Sequence, residues 1–298
     1  MHVVVFGAGS LGSLVGGLLA RVHDVTLVAR DPHASRVRES GLQITGAIEA
    51  HITPEATTDG TNLSADLALV TVKAFDTDDA ARALATGDFH AVLSLQNGLT
   101  EEILADGLDA SVLAGTATYG ARLLEPGHVE CTGVGQVTLG SLDGGPDPVA
   151  ERVGRAFRAA SLDTLVATDM PRRRWTKLAV NAGINAVTAL ARVENGALVD
   201  GDAAELAHDA ARETARVARA EGVSLPNRRA RTALSRVVDA TAENRSSMLQ
   251  DVDAGRRTEV DAISGEVVAR AERHRLDVPT NRTLAALLRA WEAGRGLR

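Results

Sequence analysis

Aromatic side chains make up only 2% of the 298 residues, cysteine occurs once, and of the 32 basic residues only Lys73 and Lys177 are lysines. With so few rings, the core must be assembled from Val, Leu, Ala and Ile, and at 45% hydrophobic content these suffice for a sizeable interior. Cys131 has no second cysteine to pair with, and no Cys/His group has zinc-ligand spacing, so a disulfide scaffold and a bound structural metal are not expected. No run approaches the roughly 18 apolar residues of a membrane-spanning helix. The opening Met1–Gly7 lacks the charged and long apolar regions of a signal peptide, so a cytoplasmic protein that meets no membrane is the expectation. A net charge of −7 argues against a nucleic-acid partner. The arginine bias says nothing about activity by itself, but it singles out the two places where lysine stands.

What is present falls into two halves, in keeping with a length of about two domains. Short aliphatic runs at Val3–Phe6, Val25–Ala29, Leu67–Val72 and Val92–Leu95 alternate with helical segments at Leu11–Arg21 and Thr77–Ala85. Such alternation predicts βαβ units and a mainly parallel sheet. Further strands, Val112–Thr118, His128–Thr132 and Gln136–Leu139, are expected to extend that sheet. A helix from about Asp147 to Ala160 and a last strand, Leu162–Ala167, follow. Beyond Asp169, a good N-cap with Pro171 in the first turn, only helices are expected: Pro171–Ala191, Asp202–Glu221, Asn227–Thr241, Ser247–Ala254, Thr258–His274 and Pro279–Ala293. Ser247-Met248-Leu249-Gln250 has the form of a capping box, and Thr258-Glu259-Val260-Asp261 a shortened one. The expected fold is α/β, with a Rossmann-type mainly parallel sheet domain over 1–168 and an all-α domain over 169–298.

Gly7-Ala8-Gly9-Ser10-Leu11-Gly12 is a G-x-G-x-x-G that follows a strand and opens a helix. The first glycine permits the tight turn and the second a close approach of pyrophosphate. The third lets helix and strand pack, with the helix N-terminus facing the phosphates. A glycine-rich turn also serves packing alone, but its place as the first element of a βαβ unit favours a dinucleotide. At the end of the second strand stands Arg30, followed by Asp31. An arginine there accommodates a 2′-phosphate, whereas an acid holds ribose hydroxyls. Lys73 ends the next parallel strand, and two converging cations favour NADPH over NADH. Arg30 read as a solvated loop charge, or Asn97 read as a turn residue before Gly98, is the plainer alternative.

Lys177, Asn181 and Asn185 recur every four residues and form one stripe on a helix. Val180 and Ile184 flank it on one side, Trp175, Leu178 and Ala182 on the other, which suggests a polar stripe facing a cleft. Interhelical hydrogen bonds by the asparagines and a lysine reaching out to water are the alternative. Local sequence likewise offers Ser246 and Ser247 as caps and Glu259 as a first-turn acid.

Taken together, these pieces resemble the ketopantoate reductase (2-dehydropantoate 2-reductase) family over nearly the whole chain. The resemblance rests on the GAGSLG turn, Thr71-Val72-Lys73-Ala74, Gln96-Asn97-Gly98, Trp175-x-Lys177-Leu178-Ala179-Val180-Asn181 with Asn185, and Asn195-Gly196. The run from Ala242 through Ser247-Met248-Leu249-Gln250-Asp251 to Thr258-Glu259-Val260-Asp261 is its most specific part. It is weakest over Gly120–Gly140 and in the arginine-rich final helix. It implies Lys177 as general acid and Glu259 as a carboxylate near cofactor and substrate. It implies NADP(H) binding by residues 7–12, Arg30, Lys73, Asn97, Ala121 and Glu259. The small-molecule 2-keto acid would meet Asn97, Lys177, Asn181, Asn185, Asn195, Asn244 and Ser247.

The chemistry agrees with that assignment. An ammonium in a partly desolvated cleft can give up its proton near neutral pH, whereas a guanidinium effectively cannot. A related reductase of another 2-keto or β-hydroxy acid fits the same stripe. A non-catalytic NADPH sensor would have no need of Lys177 and Glu259 together. The apolar helices of the second domain are a candidate homodimer surface.

Overall fold

The structure is a computed structural model that describes all 298 residues. They divide into two compact units, Met1–Gln96 with Thr100–Met170, and Asn97–Leu99 with Pro171–Arg298. The first is built on a sheet. In chain order its strands and helices begin β1 (His2–Phe6), α1 (Ser10–Leu19), β2 (Asp24–Val28), α2 (His33–Ser40), β3 (Leu42–Gly46), β4 (Ala50–Ile52) and β5 (Glu55–Thr57). They continue with β6 (Ser64–Val70), α3 (Thr77–Leu84), β7 (Asp88–Ser94), α4 (Glu101–Gly107) and β8 (Ser111–Ala117). The last are β9 (Gly120–Glu125), β10 (His128–Gly133), β11 (Val137–Ser141), α5 (Pro148–Ala159) and β12 (Thr164–Val166).

Eight strands form the main sheet in the order β12-β11-β8-β7-β6-β1-β2-β5, parallel throughout except where β11 meets β8. Central strands covered on both faces read as unbroken apolar runs. In β1, Val3 and Val5 join the core containing Leu14, Leu18 and Leu27, while Val4 and Phe6 join the core on the opposite face with Leu84, Phe89 and Leu104. Phe6 and Phe89, two of the few aromatics, meet edge to face at 6.0 Å. Asp147 caps α5 by accepting from the backbone N–H groups of Val149 and Ala150, with Pro148 in the first turn.

One expectation about the sheet is corrected. The strand around His128 does not extend the main sheet: β9 and β10 pair with β3 and β4 in a separate four-stranded sheet, β4-β3-β10-β9. The β9–β10 connection turns through Pro126 and Gly127, whose φ of +77° needs glycine, and Gly127 O receives the N–H of Gln43, which carries β10 onto β3. Strands β4 and β5 are three residues each, too short for periodicity to reveal, and β3 was not anticipated. Helices α2 and α4 were also not anticipated.

The second unit is helical: α6 (Met170–Ala191), α7 (Gly201–Ala220), α8 (Asn227–Ala240), α9 (Ser247–Asp253), α10 (Glu266–Arg273) and α11 (Pro279–Ala293). Its core is rich in alanine, and small side chains let the helices approach closely. At Gly183 a Cβ would stand 2.8 Å from the carbonyl oxygen of Ala207 on α7. Leu99, 5% exposed, belongs to this core, so the short Asn97–Leu99 segment groups with the helices although it follows a sheet strand. The expected helix from Thr258 is also corrected. A non-helical stretch leads into a π-helical turn, Asp261–Gly265, before α10 begins. No helix is long and apolar enough to cross a membrane.

Candidate active site

In the sheet unit the glycine-rich turn joins β1 to α1 at the centre of the sheet. Gly7 and Ala8 donate their N–H groups to Val28 O, tying the turn to the end of β2. Gly7 has φ +92°, and a Cβ there would lie 2.6 Å from the backbone nitrogen of Val72. A Cβ on Gly12 would collide with Thr71 Oγ1 and stand 2.5 Å from Gly7 O. Gly9 is the opposite case: it is exposed, and a Cβ there would meet nothing nearer than 4.0 Å. No side chain caps α1, so the first-turn amides at Ser10, Leu11 and Gly12 point out of a helix N-terminus with no intrahelical acceptor. Room over Gly9 beside unclaimed donors is what a dinucleotide pyrophosphate requires. Ser10 Oγ receives the N–H of Leu123 in β9, the strand that also carries Ala121.

Arg30 and Lys73 follow the ends of β2 and β6, the two neighbours of β1, and so stand on either side of this turn. The Arg30 side chain is 87% exposed and donates to Asp76 at 2.9 Å, which links the loops after both strands. Asp31, the rival for ribose, is engaged elsewhere. Its Oδ1 accepts from the Ser35 hydroxyl at 2.7 Å and the Ser35 N–H at 3.1 Å, and these bonds hold its carboxyl below the usual range.

One buttress of the turn escaped the sequence reading. Gly127 N–H donates to His33 Nδ1 at 2.9 Å, which leaves the proton of a neutral ring on Nε2. Nε2 lies 2.9 Å from Ser13 Oγ, and Ser13 donates to Ala8 O at 3.0 Å. His33 is buried, and burial pushes its imidazole pKa down. A lone histidine five residues after the end of β2 gave no signal of this chain of bonds.

In the helical unit α6 carries Lys177, Asn181 and Asn185. Trp175, Leu178, Val180, Ala182 and Ile184 on its flanks are all buried, while Lys177 and Asn181 are half-buried. Three expected residues converge. Asn181 Nδ2 donates to Asn97 Oδ1 at 3.3 Å, and Asn97 Nδ2 donates to Glu259 Oε2 at 2.9 Å. Gly98 is required here: its φ is +89°, and a Cβ would lie 2.6 Å from Ala262 O in the π turn. Such turns are frequent at functional sites.

Asn185 is 5% exposed, one turn before Thr188, whose hydroxyl lies 2.8 Å from that of Ser246. Ser246, not Ser247, caps α9 by accepting the N–H of Leu249, which leaves Ser247 exposed in the first turn. Asn195 serves the neighbouring loop. Its backbone N–H donates to Asn244 O and its Nδ2 to Thr241 Oγ1, while Gly196 N–H donates to Ala242 O. Asn195 Oδ1 is buried without a hydrogen-bond partner. Asn244, exposed, therefore rides on a loop held from two sides.

The comparisons with known proteins agree along the chain. A family model described as "Ketopantoate reductase PanE/ApbA" matches residues 3–144, and one described as "Ketopantoate reductase PanE/ApbA C terminal" matches residues 169–292. The 2-dehydropantoate 2-reductase of Halobacterium salinarum is 45% identical, over 97% of this chain and 98% of its own. That of Archaeoglobus fulgidus is 40% identical over 98% of each. A solved PanE/ApbA family ketopantoate reductase from Ralstonia eutropha has a TM-score of 0.91 at 32% identity, covering 99% of this chain and 100% of that one. A D-mandelate dehydrogenase with NADH and anilino(oxo)acetate has a TM-score of 0.93 at 23% identity over the whole of both chains, a likeness of fold.

Proposed function

Since the chain belongs to the ketopantoate reductase family of oxidoreductases, we propose that it reduces 2-dehydropantoate (ketopantoate) to pantoate with NADPH, with Lys177 as the general acid. The reaction is a step of pantothenate synthesis. The observation that carries the reading is the convergence of Asn97, Asn181 and Glu259 in a unit whose α6 bears Lys177 one turn before Asn181.

Residues 7–12 would hold the pyrophosphate by backbone amides, and the open space over Gly9 supports that fit. Arg30 and Lys73 would meet the 2′-phosphate, with Ala121 and Asn97 as further cofactor contacts. When bound, NADPH supplies the hydride that reduces the C2 ketone. Negative charge that develops on the ketone oxygen needs a proton, and the Lys177 ammonium gives it. Asn181, Asn185, Asn195, Asn244 and Ser247 are neutral hydrogen-bonding groups suited to orienting a keto acid, and positioning of this kind lowers the barrier substantially. Asn97 donates to the Glu259 carboxylate, which orients the group that would meet a substrate hydroxyl.

The decisive experiment replaces the proton donor and keeps its charge. Lys177→Arg is expected to fold normally, bind NADPH and lose at least ~10²-fold in kcat for ketopantoate, the scale of general acid catalysis. Near wild-type turnover by the purified variant would refute the assignment. Wild-type kcat/KM for ketopantoate against ketoisovalerate, each with NADPH and NADH, tests substrate and cofactor together. A comparable value for ketoisovalerate would sink the substrate reading.

A further inference from the structure

Glu259 lies in the non-helical stretch between α9 and the π turn, and its carbonyl oxygen accepts the N–H groups of Ala262 and Ile263 at the start of that turn. The residue before it is gripped as well. Glu292 Oε1, on α11, accepts from both the backbone N–H of Thr258 at 2.8 Å and the Thr258 hydroxyl at 2.6 Å. Thr258 is 2% exposed and Glu292 0%. On the far side, Glu292 Oε2 accepts from Arg298 Nε at 2.6 Å, and Arg298 also pairs with Asp261, which receives Arg289 Nε at 2.8 Å. The Thr258 oxygen in turn accepts the N–H of Val260, so the residues on both sides of Glu259 are tied to one buried carboxylate.

Burying a carboxylate is costly unless every lone pair finds a donor, and a well-packed apolar side chain is often as stabilising as a buried ion pair. The charge at Glu292 has a specific consequence that an apolar residue lacks: it sets the direction of the Thr258 amide, and with it that of the following side chain. We propose that Glu292 is a positioning residue for Glu259, holding the 258–260 backbone so that the Glu259 carboxylate meets Asn97. This rests on the role given to Glu259 above. Because the clamp comes from the last helix, where the family resemblance is weakest, the sequence offered no pointer to it.

The test is a double-mutant cycle. Glu292→Ala is expected to lower kcat/KM for ketopantoate about tenfold or more, and by less than about twofold when introduced into Glu259→Gln, because a residue acting through another loses its effect once that other is gone. Glu292→Gln, which keeps an oxygen for Thr258, is expected to retain most activity. Equal penalties for Glu292→Ala in both backgrounds, or none in either, would overturn the proposal. If Glu292→Ala does not fold, Thr258→Val keeps the volume and the backbone N–H but removes both bonds of the hydroxyl, to Glu292 and from Val260, and the same non-additivity is expected from it. Hydrogen exchange reads the clamp without activity. Amides in 258–265 are expected to exchange faster in Glu292→Ala while those of α7 are unchanged, and unchanged exchange in 258–265 overturns the clamp. Wild-type protein that fails to turn over ketopantoate would instead refute the substrate reading, and the exchange experiment would still decide on Glu292.

Discussion

Gly9 and Gly12 stand three residues apart in one motif, yet an added methyl should have opposite consequences at the two. At Gly12 the methyl runs into Thr71 Oγ1 and the carbonyl of Gly7, neither of which is the loose end of a flexible chain. Overpacking of this kind costs about 1–3 kcal/mol, which for a unit of this size lowers Tm by roughly 2–4 °C per kcal/mol. At Gly9 φ is −84°, outside the left-handed region that favours glycine, and the methyl meets nothing nearer than Gly7 O at 4.0 Å. Loss of a tolerable N-cap and relief of chain entropy roughly offset there, so Gly9→Ala should leave Tm within about 3 °C of wild type. The methyl does fill the space a pyrophosphate would enter. Each charge-assisted amide bond lost is worth about 2 kcal/mol, or about 30-fold in Kd. Differential scanning fluorimetry with a titration of NADPH fluorescence separates the two effects. A Gly9→Ala protein that melts as low as Gly12→Ala but binds NADPH at wild-type strength would refute the reasoning.

Two further predictions concern the same unit. Arg30→Ala removes an exposed cation whose proposed contact with a 2′-phosphate would be worth about 1–2 kcal/mol, so KM for NADPH should rise about 5- to 30-fold with KM for NADH nearly unchanged; an equal rise for both would remove Arg30 from the phosphate site. His33 must stay neutral in the folded chain, because its Nδ1 accepts the Gly127 N–H and burial lowers its pKa. Unfolded chain takes up a proton near pH 6.5, so stability is present above that pH and falls as pH drops through it toward the lowered folded value, by at most about 1.4 kcal/mol per pH unit. Urea unfolding from pH 7.5 to 5.5 should show a shallower slope in His33→Gln, and identical slopes would refute the link.

The main parallel sheet was legible because strands buried on both faces leave continuous aliphatic runs, and the glycine turn because each glycine answers a different steric demand. Helices with a long apolar stripe, α6, α7 and α11, were legible for the same reason. The second sheet was not: β4 is three residues long, and β3 finds its other partner, β10, far along the chain. Around the candidate site, Lys177, Asn181 and Asn185 announced themselves by spacing. Asn97 and Glu259 were named by resemblance, since 162 positions separate them and no local pattern links them. The supports behind them, His33 to Ala8 through Ser13, Thr188 to Ser246, and Glu292 to Thr258, are bonds between ordinary polar residues on remote elements. Only the folded chain reveals such pairs.

The Asn97–Leu99 segment has a practical consequence for recombining this protein with its relatives. Leu99 fills the helical core, Gly98 touches the π turn at Ala262, and Asn97 holds Glu259, so three residues from the first hundred belong to the last hundred and thirty. A chimera joined at 170 that takes its helical half from another member inherits Asn97-Gly98-Leu99 from the wrong parent. Exchange blocks drawn by contact rather than by sequence order would carry 97–99 together with 171–298.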